Sequence, residues 1–504
     1  MANVLFDALF RPHLGSDRVF LDIPGGPAIT YGAFLEESAR IANVIAAEGL
    51  EAGDRLAVQI PKSATALAVY AACVQTGVIF LPLNTAYTPD EVAYFVGDAT
   101  PKILLCDPAA QQSLAPIADK FGATLLTLDS AGKGMLTDRA DTQPSTFEPR
   151  DRAADDLAAF LYTSGTTGRS KGAMLTQNNL LSNAQSLLEA WRFTSDDVLL
   201  HALPIFHTHG LFVATNIILL AGGSMIFLPG FNTDAVIAAL PKATSMMGVP
   251  TFYTRLLDDP RLNRDLVSHM RLFISGSAPL LAETHTQFED RTGHRILERY
   301  GMTETNMNVS NPYDGLRKPG TVGFPLPKVD LRIVNPETGE ALPHGEIGEI
   351  EVRGPNVFKG YWQMPEKTAE EFRPDGFFRT GDLGLIDGDG YVQIVGRGKD
   401  LIISGGYNIY PKEIELLLDE QDGVSESAVI GVPHPDFGEG VVGVLVPQGA
   451  GSIDTDKIAA AIAPKIARFK QPKAFYVVDE LPRNTMGKVQ KNILRDRYGE
   501  TFKG

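Results

Sequence analysis

Residues 159–172 read Ala-Phe-Leu-Tyr-Thr-Ser-Gly-Thr-Thr-Gly-Arg-Ser-Lys-Gly, an apolar strand-like run that opens into a loop of small hydroxyl residues and glycines and closes on a lysine. From Thr163 through Ser164, Gly165, Thr166, Thr167 and Gly168, such a loop can turn its backbone N–H groups and hydroxyls toward phosphate oxygens, with Lys171 adding charge. It is not a Walker A loop, which needs Gly immediately before the Lys and Ser or Thr after it; here Ser170 precedes Lys171 and Gly172 follows. Two other patterns carry less. Gly438-Glu-Gly-Val-Val-Gly443 satisfies Gly-x-Gly-x-x-Gly but leads into the strand-like Val-Gly-Val-Leu-Val446 instead of opening a helix, so a dinucleotide site is not expected. His207-Thr-His209 resembles a metal pair, but the i, i+2 spacing without a third ligand nearby is poor for zinc.

The elements that must position the phosphate loop follow from length and periodicity. The 504 residues are 44% hydrophobic and 21% charged, the composition of a folded chain of two to four domains. A net charge of −16 repels phosphate backbones over most of the surface and argues against nucleic acid. Cys73 and Cys106 build neither a disulfide framework nor a zinc site. The first 15 residues lack a basic stretch and a cleavage site, and the end is not Ser-Lys-Leu, so a cytoplasmic protein is expected. Residues 211–228 are apolar but broken by Asn216, Gly222, Gly223 and Ser224, which predicts a buried helix, a Gly-Gly stop and a strand rather than a membrane span.

Strands at 56–60, 79–83, 103–106 and 124–128 alternate with helices at 36–47 and 64–75, which predicts a doubly wound parallel sheet. The near-repeat of Gly77-Val-Ile-Phe-Leu-Pro82 in Gly223-Ser-Met-Ile-Phe-Leu-Pro229 predicts two similar α/β layers. Residues 320–396 read as short strands with frequent turns, a small antiparallel region. Beyond Gly396 a compact α+β unit is expected, with Pro411 at a helix start, strands at 428–432 and 441–446, and a helix from Lys457 that Pro464 ends. Residues 465–503 hold ten Lys and Arg against four Asp and Glu, either an anion-facing surface or a solvated basic face.

The string from Tyr162 to Gly172 resembles the signature of the adenylate-forming enzymes of the ANL superfamily: acyl-CoA synthetases, luciferases and nonribosomal adenylation domains. In that family's order follow Ser275-Gly-Ser-Ala-Pro-Leu280, Glu298-Arg-Tyr-Gly-Met-Thr-Glu304, Phe378-Arg-Thr-Gly-Asp-Leu383, Gly396-Arg-Gly-Lys-Asp-Leu-Ile402, Ser404-Gly-Gly-Tyr-Asn-Ile-Tyr-Pro411 and Pro482-Arg-Asn-Thr-Met-Gly-Lys488. One departure is Ser170, where the family usually has Pro, a change in loop stiffness more than in chemistry.

The resemblance implies an α/β fold: a large domain over 1–398 with two doubly wound layers and a small β region, and a mobile α+β domain over 399–504 hinged at Lys399. It implies that adenine stacks along Tyr300, Gly301, Met302 and Thr303, and that Ser277, Ala278 and Glu298 line the nucleotide. Glu304 and Thr166 would be oxygen ligands of Mg²⁺. Asp382 would accept from the ribose hydroxyls with Arg397 beside it. His207 is the gate position, Lys488 the catalytic lysine, and Gly405 and Gly406 line the thiol tunnel. The implied reaction joins a carboxylate to ATP, giving acyl-AMP and pyrophosphate, after which CoA displaces AMP. No carrier domain follows Gly504, so CoA is expected over a carrier protein, and retention of Lys488 argues against a nucleotide sensor. Similar enzymes are regulated by acetylation of this lysine, which implies an acetyltransferase and deacetylase as partners.

Arg299 suggests the acid. Most acyl-CoA synthetases carry a small residue before the Tyr-Gly turn; a guanidinium there would block long chains and is costly to bury without an anion. The second carboxylate of a short diacid would supply one, with Arg299 bidentate and His209 and Ser277 nearby, as in malonyl-CoA synthetases. Malonate is therefore expected, with methylmalonate tolerated. If Arg299 instead turns away to pair with Glu298, a small monocarboxylic acid such as acetate or propionate is expected.

Overall fold

The computed structural model describes residues 2–163, 170–404, 407–449, 451–484 and 487–502. The chain divides into two compact units, Met1–Asp330 with Val352–Phe378 and Leu331–Glu351 with Arg379–Gly504. The first holds two extended sheets. One has seven strands in the order Gly360–Tyr361, Lys171–Thr176, Leu157–Thr163, Ile79–Pro82, Arg55–Gln59, Ile103–Cys106 and Thr124–Thr127; the last five pair in parallel, and the first two are antiparallel to their neighbours. The other has nine, with a parallel centre of Leu297–Met302, Leu272–Ser275, Ser245–Gly248, Val198–His201, Ser224–Phe227 and Val19–Asp22. The two copies of the near-repeat fall one in each sheet, supplying Ile79–Pro82 and Ser224–Phe227.

The apolar strands and helices follow the sequence periods closely. Helix Ala64–Thr76 is buried along its whole length, capped by the Ser63 hydroxyl at its start and by Gly77 in the left-handed region at its end. The helix expected from residue 36 begins at Tyr31, because Thr30 caps it by accepting from Ala33 N and because Tyr31, Phe34 and Leu35 belong to its buried face. The segment expected as one helix over 211–221 is two: a π-helical turn, His209–Thr215, then an α-helix, Asn216–Ala221, before the strand Ser224–Phe227. The π turn could not be read from apolar periodicity, because an all-apolar run has none. Near its start Gly210 packs against Pro204, where a Cβ would stand 2.0 Å from the carbonyl oxygen.

The antiparallel region is a four-stranded sheet, Asp330–Val334, Gly348–Arg353, Phe378–Ile386 and Val392–Arg397, which groups with the C-terminal part of the chain. Beyond it, Val424–His434 and Gly438–Pro447 form a long antiparallel pair, and Ala474–Val477 adds in parallel. Gly438–Pro447 is thus a strand from its first glycine, which removes the dinucleotide pattern. Helix Pro411–Asp419 starts on its proline; helix Thr455–Ile462 starts earlier than residue 457, where Asp454 caps it, and stops before Pro464. Among the described residues no helix is long and apolar enough to cross a membrane.

Candidate active site

Ser164, Gly165, Thr166, Thr167 and Gly168 lie outside the described residues, as do Gly405 and Gly406. The two ends of the phosphate loop are held together: Thr163 stands opposite Lys171 in the antiparallel ladder, its hydroxyl donates to the Lys171 carbonyl at 3.4 Å, and the Tyr94 hydroxyl donates to the Ser170 carbonyl at 2.8 Å. The Lys171 ammonium lies 4.2 Å from the centre of the Tyr361 ring and 4.0 Å from Glu371. On its other side the Tyr361 hydroxyl donates to Glu304 Oε1 at 3.0 Å. Burial and the neighbouring Glu304 carboxylate push the Tyr361 phenol well above its ordinary range, so it stays a donor. A cationic arm and a buried carboxylate thus meet on one aromatic ring. Tyr361 belongs to the two-residue strand Gly360–Tyr361, paired to Lys171–Thr176. Sequence reasoning missed it; its one signal, a Gly-Tyr-Trp string, is too short to stand out.

Among the described residues there is no cluster of three His, Cys, Asp or Glu side chains that could hold a metal ion. A single buried carboxylate, Glu304, held on the same tyrosine side chain as Lys171, fits Mg²⁺, which usually takes one or two carboxylates and completes its shell with phosphates and water.

The residues expected to meet the acid sit on and around the strand Leu297–Met302, along which side chains alternate between faces. Glu298 is buried and accepts the Leu280 N–H at 3.2 Å, while its carbonyl accepts from Asn311 N at 3.0 Å, so it ties this strand to the Ser275–Leu280 segment. Arg299 faces the other way. It is 4% exposed, and its Nε and Nη2 are buried without a hydrogen-bond partner. Burial drives its pKa down from 12.5 to about 9. Its guanidinium lies over Gly276, where a Cβ would come within 2.3 Å of Cζ. The next residue, Ser277, has φ +72°, a costly conformation for a side-chain-bearing residue, and places its hydroxyl 3.2 Å from His209 Nδ1. His209 is 2% exposed, its Nε2 has no partner, and burial, then the Arg299 charge, hold its pKa well below the usual histidine range. Arg299 Nε and Nη2 and His209 Nε2 are therefore buried without a hydrogen-bond partner, with the Ser277 hydroxyl on His209 Nδ1. His207 is half-buried and packs its ring against Phe206, centroids 4.7 Å apart. Tyr300, Gly301, Met302 and Thr303 complete the strand and its turn beside Glu304.

In the second unit, Asp382 and Arg397 are partners across an antiparallel pair, Arg397 Nε lying 3.1 Å from Asp382 Oδ1. Lys399 sits in the turn that follows, its pKa lowered by burial and then by Arg397. Lys488 ends a tight loop: its N–H donates to Asn484 Oδ1 and its carbonyl accepts from Asn484 N, both at 2.9 Å, and its side chain is exposed.

Comparison with known proteins agrees with this geometry. Residues 13–362 match the AMP-binding enzyme family and residues 413–488 the AMP-binding enzyme C-terminal domain. Feruloyl-CoA synthase of an Amycolatopsis species is 39% identical over 94% of this chain and 95% of its own length. Malonate–CoA ligase of Arabidopsis thaliana is 36% identical over 83% and 74%. The crystal structure of ATP-bound MatB from Rhodopseudomonas palustris is 58% identical, covers all of both chains and superposes with a TM-score of 0.97. The chain belongs to the adenylate-forming AMP-binding enzymes of the ANL superfamily, as an acid–thiol ligase that joins a carboxylic acid to CoA with ATP and Mg²⁺.

Proposed function

We propose that the acid is malonate, converted to malonyl-CoA through malonyl-AMP, with methylmalonate as a tolerated analogue. The observation that carries this reading is the buried Arg299 guanidinium with Nε and Nη2 unpartnered beside Ser277 and His209. A buried cation without an anion is expensive, and a second carboxylate would relieve that cost by a bidentate contact. The malonate–CoA ligases of Arabidopsis thaliana and Bos taurus, 36% and 35% identical, support the same acid. The feruloyl-CoA synthase relative gives the competing reading, an acid without a second carboxylate.

The residue roles follow. The loop ending in Lys171 cradles the phosphates, Ser277 and Ala278 flank the nucleotide and acid, and Tyr300 to Thr303 carry the adenine. Asp382 and Arg397 bind the ribose. Glu304 would supply the oxygen that holds Mg²⁺, which when bound would offset the charge of the phosphates. Lys488 steadies charge developing between the acid oxygen and the α-phosphate. The acid oxygen attacks the α-phosphorus and expels pyrophosphate. The CoA sulfur then attacks the acyl carbon and expels AMP, with His207 gating the thiol path. Rotation about Lys399 exchanges the two half-reactions. Acetylation of Lys488 by a protein acetyltransferase, reversed by a deacetylase, would remove the charge the first step needs. The two buried free cysteines support a reducing cytoplasm.

The test compares malonate with propionate in the wild type and in Arg299→Ala. Losing a charge-assisted bidentate contact should cost malonate about 2 kcal/mol in kcat/KM and spare propionate. Wild-type preference for propionate or ferulate would overturn the diacid reading, and release of adenylate without a CoA ester would favour a carrier-protein acceptor.

A further inference from the structure

A second basic side chain, the half-buried Lys62, lies outside every motif above. Lys62 follows the strand Arg55–Gln59 and donates to His201 Nδ1 at 2.8 Å and to the His201 carbonyl at 2.9 Å. His201 ends the strand Val198–His201, is fully buried, and makes its other ring contact, Nε2, with the Gly210 carbonyl at 2.8 Å. The Gly210 carbonyl can only accept, so the ring proton sits on Nε2, which donates to it, and Nδ1 accepts from the Lys62 amine. That carbonyl also receives the Thr215 hydroxyl at 3.0 Å. It belongs to the first turn of the π-helical segment His209–Thr215, one residue from the histidine that meets Ser277. Lys62 also lines a cavity of about 250 Å³ with Phe80, Pro82, Pro204, Ile205 and Phe206, the segment that leads directly into His207.

We propose that Lys62 is a positioning residue for the acid pocket: through the His201 tautomer it fixes the Gly210 carbonyl, and with it the placement of His209 and the His207 gate. This rests on the reading of His209 and Arg299 as the acid-binding pair. The Gly210 carbonyl takes the Thr215 hydroxyl from within the π segment and the His201 Nε2–H from outside it, and the Lys62 amine, by occupying Nδ1, holds the ring in the orientation that delivers that proton. The amine touches no substrate atom in this scheme.

The experiment measures KM for the acid and for ATP in Lys62→Met, His201→Phe and the double variant, using whichever acid the wild type turns over best. A failure of the malonate reading therefore appears in the wild type alone and leaves this test intact. Acid KM should rise about ten- to hundredfold in Lys62→Met with ATP KM within about twofold, since misplacement of a positioning group is felt at the group it positions. The double variant should be no worse than the poorer single one, the signature of two residues acting in series. Lys62→Arg, which keeps a donor, should recover most of the loss, and nitrogen-15 NMR of labelled histidine should show the Nε2–H tautomer of His201 in the wild type and its loss in Lys62→Met. Additive effects, equal rises in both KM values, or an unchanged tautomer would overturn the proposal. Should Lys62→Met not fold, the wild-type tautomer and the KM values of Lys62→Arg and His201→Phe still decide it.

Discussion

At the scale of the residue, the placement of the Arg299 guanidinium depends on a missing side chain as much as on its own. Arg299 can lie flat beside Ser277 only because Gly276 has no Cβ. In Gly276→Ala the methyl would stand 2.3 Å from Cζ, so the guanidinium must move, and overpacking of this kind costs about 1–3 kcal/mol. The expected outcome is a loss of malonate kcat/KM of at least about tenfold with ATP KM little changed, measured by steady-state kinetics. Unchanged malonate kinetics would mean that Arg299 does not meet the acid from this position. The two halves of this contact differ in legibility. Arg299 stood out in the sequence because a charged residue occupies a place beside a recognisable turn. Gly276 did not, because its role is a close approach between the ends of two neighbouring strands, and spacing within one strand says nothing about the space beside the next.

At the scale of the element, the strands and helices could be read because each obeys a short local period: apolar runs for parallel strands, capped amphipathic stretches for helices. What resisted reading were elements defined by their partners. The strand Gly360–Tyr361 is two residues long and exists because it pairs with Lys171–Thr176, with Tyr361 opposite Ala173 and Gly360 opposite Met174. That pairing brings the Tyr361 hydroxyl to Glu304 and its ring to Lys171. The same hydroxyl cannot serve as an acid or base at neutral pH, so its part is to orient the carboxylate. In Tyr361→Phe the ring contact to Lys171 survives and the donor is lost. Outer partners of metal ligands are worth about 10- to 100-fold in metal affinity, so the Mg²⁺ concentration for half-maximal adenylation should rise by about tenfold at saturating ATP. A Mg²⁺ dependence identical to the wild type would remove Glu304, or Tyr361 as its support, from the metal's surroundings.

At the scale of the whole molecule, the acidic chain with a basic final stretch is less polarised than its charges suggest. Of the basic residues in 465–503, Lys465, Lys470, Arg483, Lys491 and Arg495 pair with Glu420, Glu413, Glu426, Glu415 and Asp400 of the same unit, so much of the excess is spent on internal contacts. An anion meeting this surface would be steered by the remainder. The larger demand on the molecule comes from its two half-reactions. On the proposed mechanism Lys488 reaches the acid and α-phosphate in the first and is replaced by a thiol in the second, which one arrangement of the chain would not satisfy. Lys399 lies in the short turn Gly398–Asp400 that links the strand Val392–Arg397 to Ile402–Ser404, where a change of backbone angles moves everything beyond it. Proline at this position fixes φ near −65° and restricts the residue before it, so Lys399→Pro should hinder rotation while leaving each arrangement's contacts in place. Pyrophosphate exchange, which reads the first half-reaction, should stay close to wild type, and thioester formation from pre-made acyl-AMP should fall by at least about tenfold. Lys488→Ala should do the reverse, losing exchange by about 10² to 10³ and keeping thioester formation. Equal loss of both half-reactions in Lys399→Pro would show that the turn supports the fold and does not act as the hinge.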